Sequence, residues 1–135
     1  MVQNITKGIK TLTEQARKTV EEISIEQAKT FHIDERYVFI DVREAEEITK
    51  LGMIPDAFTC PRGMLEFLID PECPAHNKVF AQNKIFIFYC AHGLRSLYAA
   101  KQAADMGLRS VKNLEGGFAA WKASAGDIQI NHEGQ

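Results

Sequence analysis

The stretch Lys84-Ile85-Phe86-Ile87-Phe88-Tyr89, running into Cys90-Ala91-His92-Gly93-Leu94-Arg95-Ser96, decides how this chain folds. Ile85 to Tyr89 is an unbroken β-branched and aromatic run, the pattern of a strand buried on both faces. Ser96 to Met106 reads as a helix, with Leu97, Ala100, Ala104 and Leu108 near one face and Gly107 as its stop. A strand that ends in a cysteine, turns through a small loop and enters a helix sets a thiol over backbone N–H groups at the positive end of that helix.

Working outward, Tyr37-Val38-Phe39-Ile40 reads as a second buried strand, closed by Asp41-Val42-Arg43-Glu44. Charges directly after such a strand mark the carboxyl edge of a parallel sheet, where ligand sites of open α/β folds collect. Ser24 and Gln27 form a capping box for a helix from Ile25 to about Phe31, with Ile25, Ala28 and Phe31 or Ile33 inward. Further helices are expected over 44–50, 61–69 and 75–82, and short strands over 57–59 and 110–114. Glu115-Gly116-Gly117 is a tight turn before a short helix, 118–123, that carries Trp121.

Strands alternating with helices at this pitch predict an α/β fold, a parallel sheet with helices on both faces. The expected divisions are an amphipathic extension over 1–22, one domain over 23–125 and a loose polar tail over 126–135. In the extension Ile5, Ile9, Leu12, Ala16 and Val20 recur at helical spacing and predict a packed stripe.

Composition narrows the function classes. A net charge of −2 gives no reason to expect nucleic acid as a partner. No apolar run reaches the length of a membrane span, and residues 1–22 lack the apolar core of a secretory signal, so a cytoplasmic location is expected. The three cysteines, Cys60, Cys73 and Cys90, do not suggest a disulfide framework. Cys73-Pro-Ala-His76 has metal-ligand residue types but no second close Cys/His pair, so neither a metal nor another cofactor is expected. Cys60, before Pro61, reads as a core residue.

Cys90 alone would read equally as an inert half-buried residue. Its loop changes that, because a helix N-terminus lowers a thiol's pKa and the thiolate is the competent nucleophile. Gly93 lets the backbone turn inward. Arg95 either faces an anionic substrate or holds the loop through a carboxylate; His92 is a candidate cation at the rim. Asp41 pointing at Cys90 would raise its pKa, so support beside an arginine is the better reading. Arg43 and Arg62 are candidates to offset substrate charge, and Trp121 reads as packing.

Asp41-Val42-Arg43, the Gly52 to Ala57 turn, Cys90-x-x-Gly93-x-Arg95-Ser96 and Gly116-Gly117-Phe118-x-x-Trp121 occur in the order and separation of single-domain rhodaneses, which the chain resembles from about Ser24 to Lys122. The resemblance implies a central parallel sheet of about five strands and sulfur transfer through a persulfide. It implies Cys90 as nucleophile and the backbone of Ala91, His92, Gly93, Leu94, Arg95 and Ser96 as the anion cradle. The implied partners are a small anionic sulfur donor such as thiosulfate and a thiophilic acceptor, cyanide, a thiol or a protein. Met53 and Asp56 replace the His and Gly common in the family; Asp tolerates a left-handed turn position. A persulfide carrier acting in a protein complex would need the same site. Cell-cycle phosphatases resemble the fold but place five residues between cysteine and arginine; here there are four, which disfavours phosphatase and arsenate-reductase chemistry.

Overall fold

A computed structural model of the chain describes residues 2–130. Five parallel strands form one sheet in the order β1-β5-β4-β2-β3: β1 (Glu21–Ile23), β2 (Tyr37–Asp41), β3 (Phe58–Thr59), β4 (Ile85–Tyr89) and β5 (Val111–Leu114). The helices are α1 (Ile9–Thr19), α2 (Ile25–His32), α3 (Ala45–Leu51), α4 (Leu65–Ile69), α5 (Leu94–Met106) and α6 (Gly117–Ala123), with 3₁₀ turns at Arg62–Met64 and Lys78–Ala81. The central strands β4 and β2 are the two long apolar runs of the sequence. In register, Tyr89 lies beside Asp41 and Asp41 beside Thr59, so three strands end together at one edge.

Each face of the sheet has its own core. On one side Ile40, Val42, Phe86, Phe88 and Cys90 pack with Leu65 and with Leu97, Ala100 and Ala103 of α5. On the other Phe39, Ile87, Tyr89 and Leu114 pack with Ala28, Phe118 and Trp121. Side chains of a strand alternate between faces, so Cys90, two after Phe88, falls on the α5 side. The Ser24–Gln27 capping box is present, with Ser24 N–H donating to Gln27 Oε1 at 2.9 Å. Ala28 is buried, while Ile33 stands exposed. Among the described residues no helix is long and apolar enough to cross a membrane.

The N-terminal segment departs from its pattern. Ile5, Ile9 and Leu12 are exposed, while Ala16 and Val20 of the expected stripe are buried and Thr13 joins them. The Tyr98 hydroxyl donates to Thr13 Oγ1 at 2.6 Å, since Thr13 gives its own proton to Ile9 O. The small Ala16 lets α1 lie close against α5, which a larger apolar side chain would prevent. Residues 21–23 form the edge strand β1, so the boundary drawn between 22 and 23 falls inside a strand. Glu21-Glu22-Ile23 has one apolar residue and gave no strand signal; pairing with Lys112 to Leu114 makes it one.

Nor is the start of the tail loose. Gln129 bridges to Met53, each backbone N–H donating to the other's carbonyl at 2.8–2.9 Å, and Asp127 O accepts from Trp121 Nε1. Residues 131–135, also expected loose, lie outside the described residues. Asp56 takes φ +64, with its N–H donating to Gln129 Oε1. Tyr98→Phe removes the one polar tie between α1 and α5 found among the described residues. It is expected to lower stability by about 1 kcal/mol, read as a lower urea midpoint with an unchanged slope.

Candidate active site

Cys90 directly follows β4, and its loop leads into α5, whose N-cap is Gly93. The residue is 1% exposed, so its sulfur must find partners in protein. It accepts from Gly93 N–H at 3.1 Å and Ser96 N–H at 3.3 Å. The loop's carbonyls are turned the other way. Cys90 O accepts from Phe118 N–H at 2.8 Å and Ala91 O from Ala119 N–H at 3.0 Å. The free N–H groups of α6's first turn thus capture loop carbonyls, which leaves the loop's own amides facing inward.

Two glycines make this possible. Gly93 has φ +103, and a Cβ there would approach Gly116 N to 3.1 Å and Leu114 O to 3.3 Å. Gly117 has φ +61, and a Cβ would stand 2.5 Å from Cys90 O. Larger residues at either place would strain the backbone and push the loop off α6.

Two opposing forces act on the thiol. Burial pushes its pKa up, while hydrogen bonds from Ser96, Gly93 and His92 pull it down, and the net shift is downward. The backbone amides are the fixed part of that stabilisation. The Ser96 hydroxyl has one proton, and it donates it to Asn113 Oδ1 at 2.6 Å; it serves the sulfur only on turning from Asn113. Cys60 shows burial without such donors: its thiol is pushed up to about 12, mainly by desolvation.

Each of the three candidate arginines holds a carboxylate. Arg43 and Arg62 are the two expected to offset substrate charge. Arg43 is wholly buried, forked onto Asp41 at 2.7 Å with Nη2 also donating to Gly52 O at 2.8 Å. Its guanidinium lies 4.4 Å from the Phe118 ring centre, and Nη1 finds no acceptor among the described residues. Its charge is spent on Asp41, which is itself fully buried and turned to the arginine rather than the thiol. Arg62 pairs with Glu66 at 3.0 Å and lines a groove with Leu12, Gln15, Tyr98 and Lys101. Arg95 makes two parallel bonds to Glu47 of α3, at 2.9 and 2.8 Å. That pairing holds the Glu47 carboxyl down at about 2.

Of the remaining candidates, His92 on the loop and Leu94 at the start of α5 are exposed and Ala91 is half-buried. Trp121 is buried against His32 and Phe39 on the far face. Glu47 and Asn113 gave no separate signal in sequence, and Gly117 stands there only as part of a turn and motif. Asn113 is fully buried, and beside Lys112 in the short polar run of this strand nothing marked it out.

The family model of the rhodanese-like domain matches residues 24–124. The chain belongs to the rhodanese-like domain family. A putative sulfurtransferase of Bacillus subtilis, YtwF, is 34% identical over 104 residues, covering 76% of this chain and 91% of that one. The human thiosulfate:glutathione sulfurtransferase is 27% identical, covering 73% of this chain and 90% of its own. A solved structure of a Rhodopseudomonas palustris protein, RPA3614, described as of unknown function and a possible tyrosine phosphatase, superposes with a TM-score of 0.90. It is 45% identical and covers 96% of this chain and 99% of its own.

The two buried thiols predict opposite behaviour with pH. Cys90, lowered on folding, contributes stability that is present above the unfolded thiol's pKa and lost as pH falls through the folded value. Cys60, raised, contributes stability present below the unfolded pKa and lost as pH rises toward about 12. At pH 7 Cys60 should carry about a thousandfold less thiolate than an ordinary cysteine. Iodoacetamide on the folded protein, mapped by peptide mass, is therefore expected to label Cys90 well before Cys60; equal rates would refute the assignment.

Proposed function

We propose that this rhodanese-like domain transfers sulfane sulfur through a persulfide on Cys90, acting in the cytoplasm, where its free thiols stay reduced. The observation that supports it best is the sulfur's setting: a buried thiol with a lowered pKa, held by inward amides at 3.1 and 3.3 Å at a helix start. The Cys90 thiolate attacks the outer sulfur of a donor such as thiosulfate. An Sγ–S bond forms, the donor's S–S bond breaks, and sulfite leaves with the electron pair. The loop amides hold the anionic donor and then the persulfide anion. Cyanide or a thiolate, the glutathione thiol being one candidate, next attacks the outer sulfur and Sγ leaves as thiolate. The acceptor carries the sulfur away as thiocyanate or a new persulfide. Ping-pong kinetics follow from the covalent intermediate.

A protein acceptor is the alternative for the second half-reaction, in which case the chain is a persulfide carrier. Leu94 at the start of α5, Met64 beside α4 and Phe67 on it are exposed apolar residues suited to such docking. Phosphate-ester hydrolysis, suggested by the description of RPA3614, is the reading from another class. Against it stands Arg95, whose fork is taken by Glu47 and leaves no guanidinium over the thiol for a tetrahedral phosphate.

The deciding measurement is intact mass after incubation with thiosulfate, on wild type and Cys90→Ser, with p-nitrophenyl phosphate turnover measured beside it. Gain of one sulfur atom by wild type alone is expected, with no phosphatase turnover. No gain on either protein, or hydrolysis that depends on Cys90, would sink the proposal. Arg95 acts on the loop through Glu47, so Arg95→Ala and Glu47→Ala should each slow cyanide-dependent turnover by about threefold to tenfold. The double variant should be no slower than the worse single, as expected of residues acting as one unit; additive losses would mean that Arg95 meets the donor itself.

A further inference from the structure

Behind the Cys90 loop runs a chain of side chains that the transfer mechanism leaves unused. Asn113, on β5 and fully buried, donates from Nδ2 to Gly93 O at 2.9 Å and to Glu22 Oε2 at 3.1 Å. Its Oδ1 accepts from the Ser96 hydroxyl at 2.6 Å. One amide therefore grips the two loop residues whose N–H groups face the sulfur, Gly93 by its carbonyl and Ser96 by its hydroxyl. Both Nδ2 protons are committed, which fixes which way round the amide stands. Glu22, on the edge strand β1, is held in turn by Arg17 of α1, whose Nε donates to Oε1 at 2.9 Å. Glu22 and Arg17 both precede residue 24, where the family match begins.

We propose that Asn113 is a positioning residue for the Cys90 loop, and that Glu22 with Arg17 holds Asn113 in place, so the segment ahead of the matched domain acts on the catalytic thiol. An amide donates well only when its peptide plane is fixed. The Gly93 N–H lies in the His92–Gly93 peptide and the Gly93 carbonyl in the Gly93–Leu94 peptide, joined through the most permissive Cα of the loop. By holding the second plane from the neighbouring strand, Asn113 limits how far the first can swing from the sulfur. The inference concerns thiol reactivity and stands or falls apart from the sulfur chemistry.

The titratable and charged groups on the elements around the thiol are His92 on the loop, Arg95 with Glu47 and Glu44 of the α3 side, and the Asp41–Arg43 pair at the end of β2; behind Asn113 stand Glu22 and Arg17. None of the first set is altered by the test. The readout is the pH of half-maximal iodoacetamide labelling of Cys90, followed on its own peptide. Ser96→Ala is compared with Ser96→Ala/Asn113→Ala, so that the Ser96 hydroxyl is absent from both and only the grip on Gly93 differs. The double variant is expected to react half-maximally about one pH unit higher, a tenfold loss of thiolate at a fixed lower pH. The same midpoint in both overturns the proposal, whatever happens to the melting temperature. Should the double variant give no cooperative melt, Glu22→Ala against Glu22→Gln decides. Both lose the charge and only Gln keeps an acceptor for Asn113, so the Ala variant should label at higher pH. Equal midpoints for those two overturn the link to the N-terminal segment.

Discussion

Burying a thiolate is the constraint on which this structure turns. Desolvation disfavours the charged form of any buried acid, and Cys60 shows the undiluted result, a thiol pushed up to about 12. Cys90 is as buried by exposure yet is shifted the other way. What separates them is the orientation of peptide groups. Around Cys90 the carbonyls of residues 90 and 91 are drawn off by the first turn of α6, and the amides of Gly93 and Ser96 are left to the sulfur. The loop, α6 and the N-terminus of α5 are one device, and the glycine at 117 is as necessary to it as the glycine at 93.

Peptide dipoles are the donors at the sulfur itself. Arg43, Arg62 and Arg95 each have a carboxylate of their own, in Asp41, Glu66 and Glu47. The buried Asp41–Arg43 pair is structural: removing either partner would strand the other's charge at a cost of about 3–5 kcal/mol. A persulfide intermediate carries one negative charge, and the acceptor that relieves it is often anionic too. Pre-set amides stabilise such charge without the reorganisation that a mobile cation requires.

Much of this was legible in the chain. Two unbroken apolar runs gave β2 and β4, and the charges or cysteine after each gave the carboxyl edge. The capping box at Ser24 gave the start of α2, because its signal is local and complete within four residues. What stayed hidden depends on partners distant in sequence. β1 is a strand only because β5 lies beside it, and two of its three residues are glutamates. The stripe on α1 holds at Ala16 and Val20 and fails at Ile5, Ile9 and Leu12, because helical spacing shows which residues share a face, not which part of it meets α5. There the hydroxyl of Tyr98 and the small Ala16 favour Thr13 over Leu12. The arginine pairings were illegible for the same reason. Arg95 and Glu47 are 48 residues apart and meet because α3 crosses the edge at which α5 begins.

The sheet order explains why the segment before residue 24 reaches the loop at all. With β1 at the edge, β5 next and β4 beyond it, a residue on β5 stands between the N-terminal strand and the cysteine-bearing one. Glu22 is registered on Asn113, and Phe88 of β4 is registered on the same asparagine from the other side. The register thus sets Asn113 two residues short of Cys90 and level with the acidic residue of the edge. A polar side chain at that point must find partners or destabilise the sheet, since an unsatisfied buried amide costs about 1–3 kcal/mol. Its partners are the carbonyl of Gly93, the hydroxyl of Ser96 and the carboxylate of Glu22. Folding of the N-terminal strand and shaping of the thiol loop therefore draw on the same hydrogen bonds, and neither can loosen without the other feeling it.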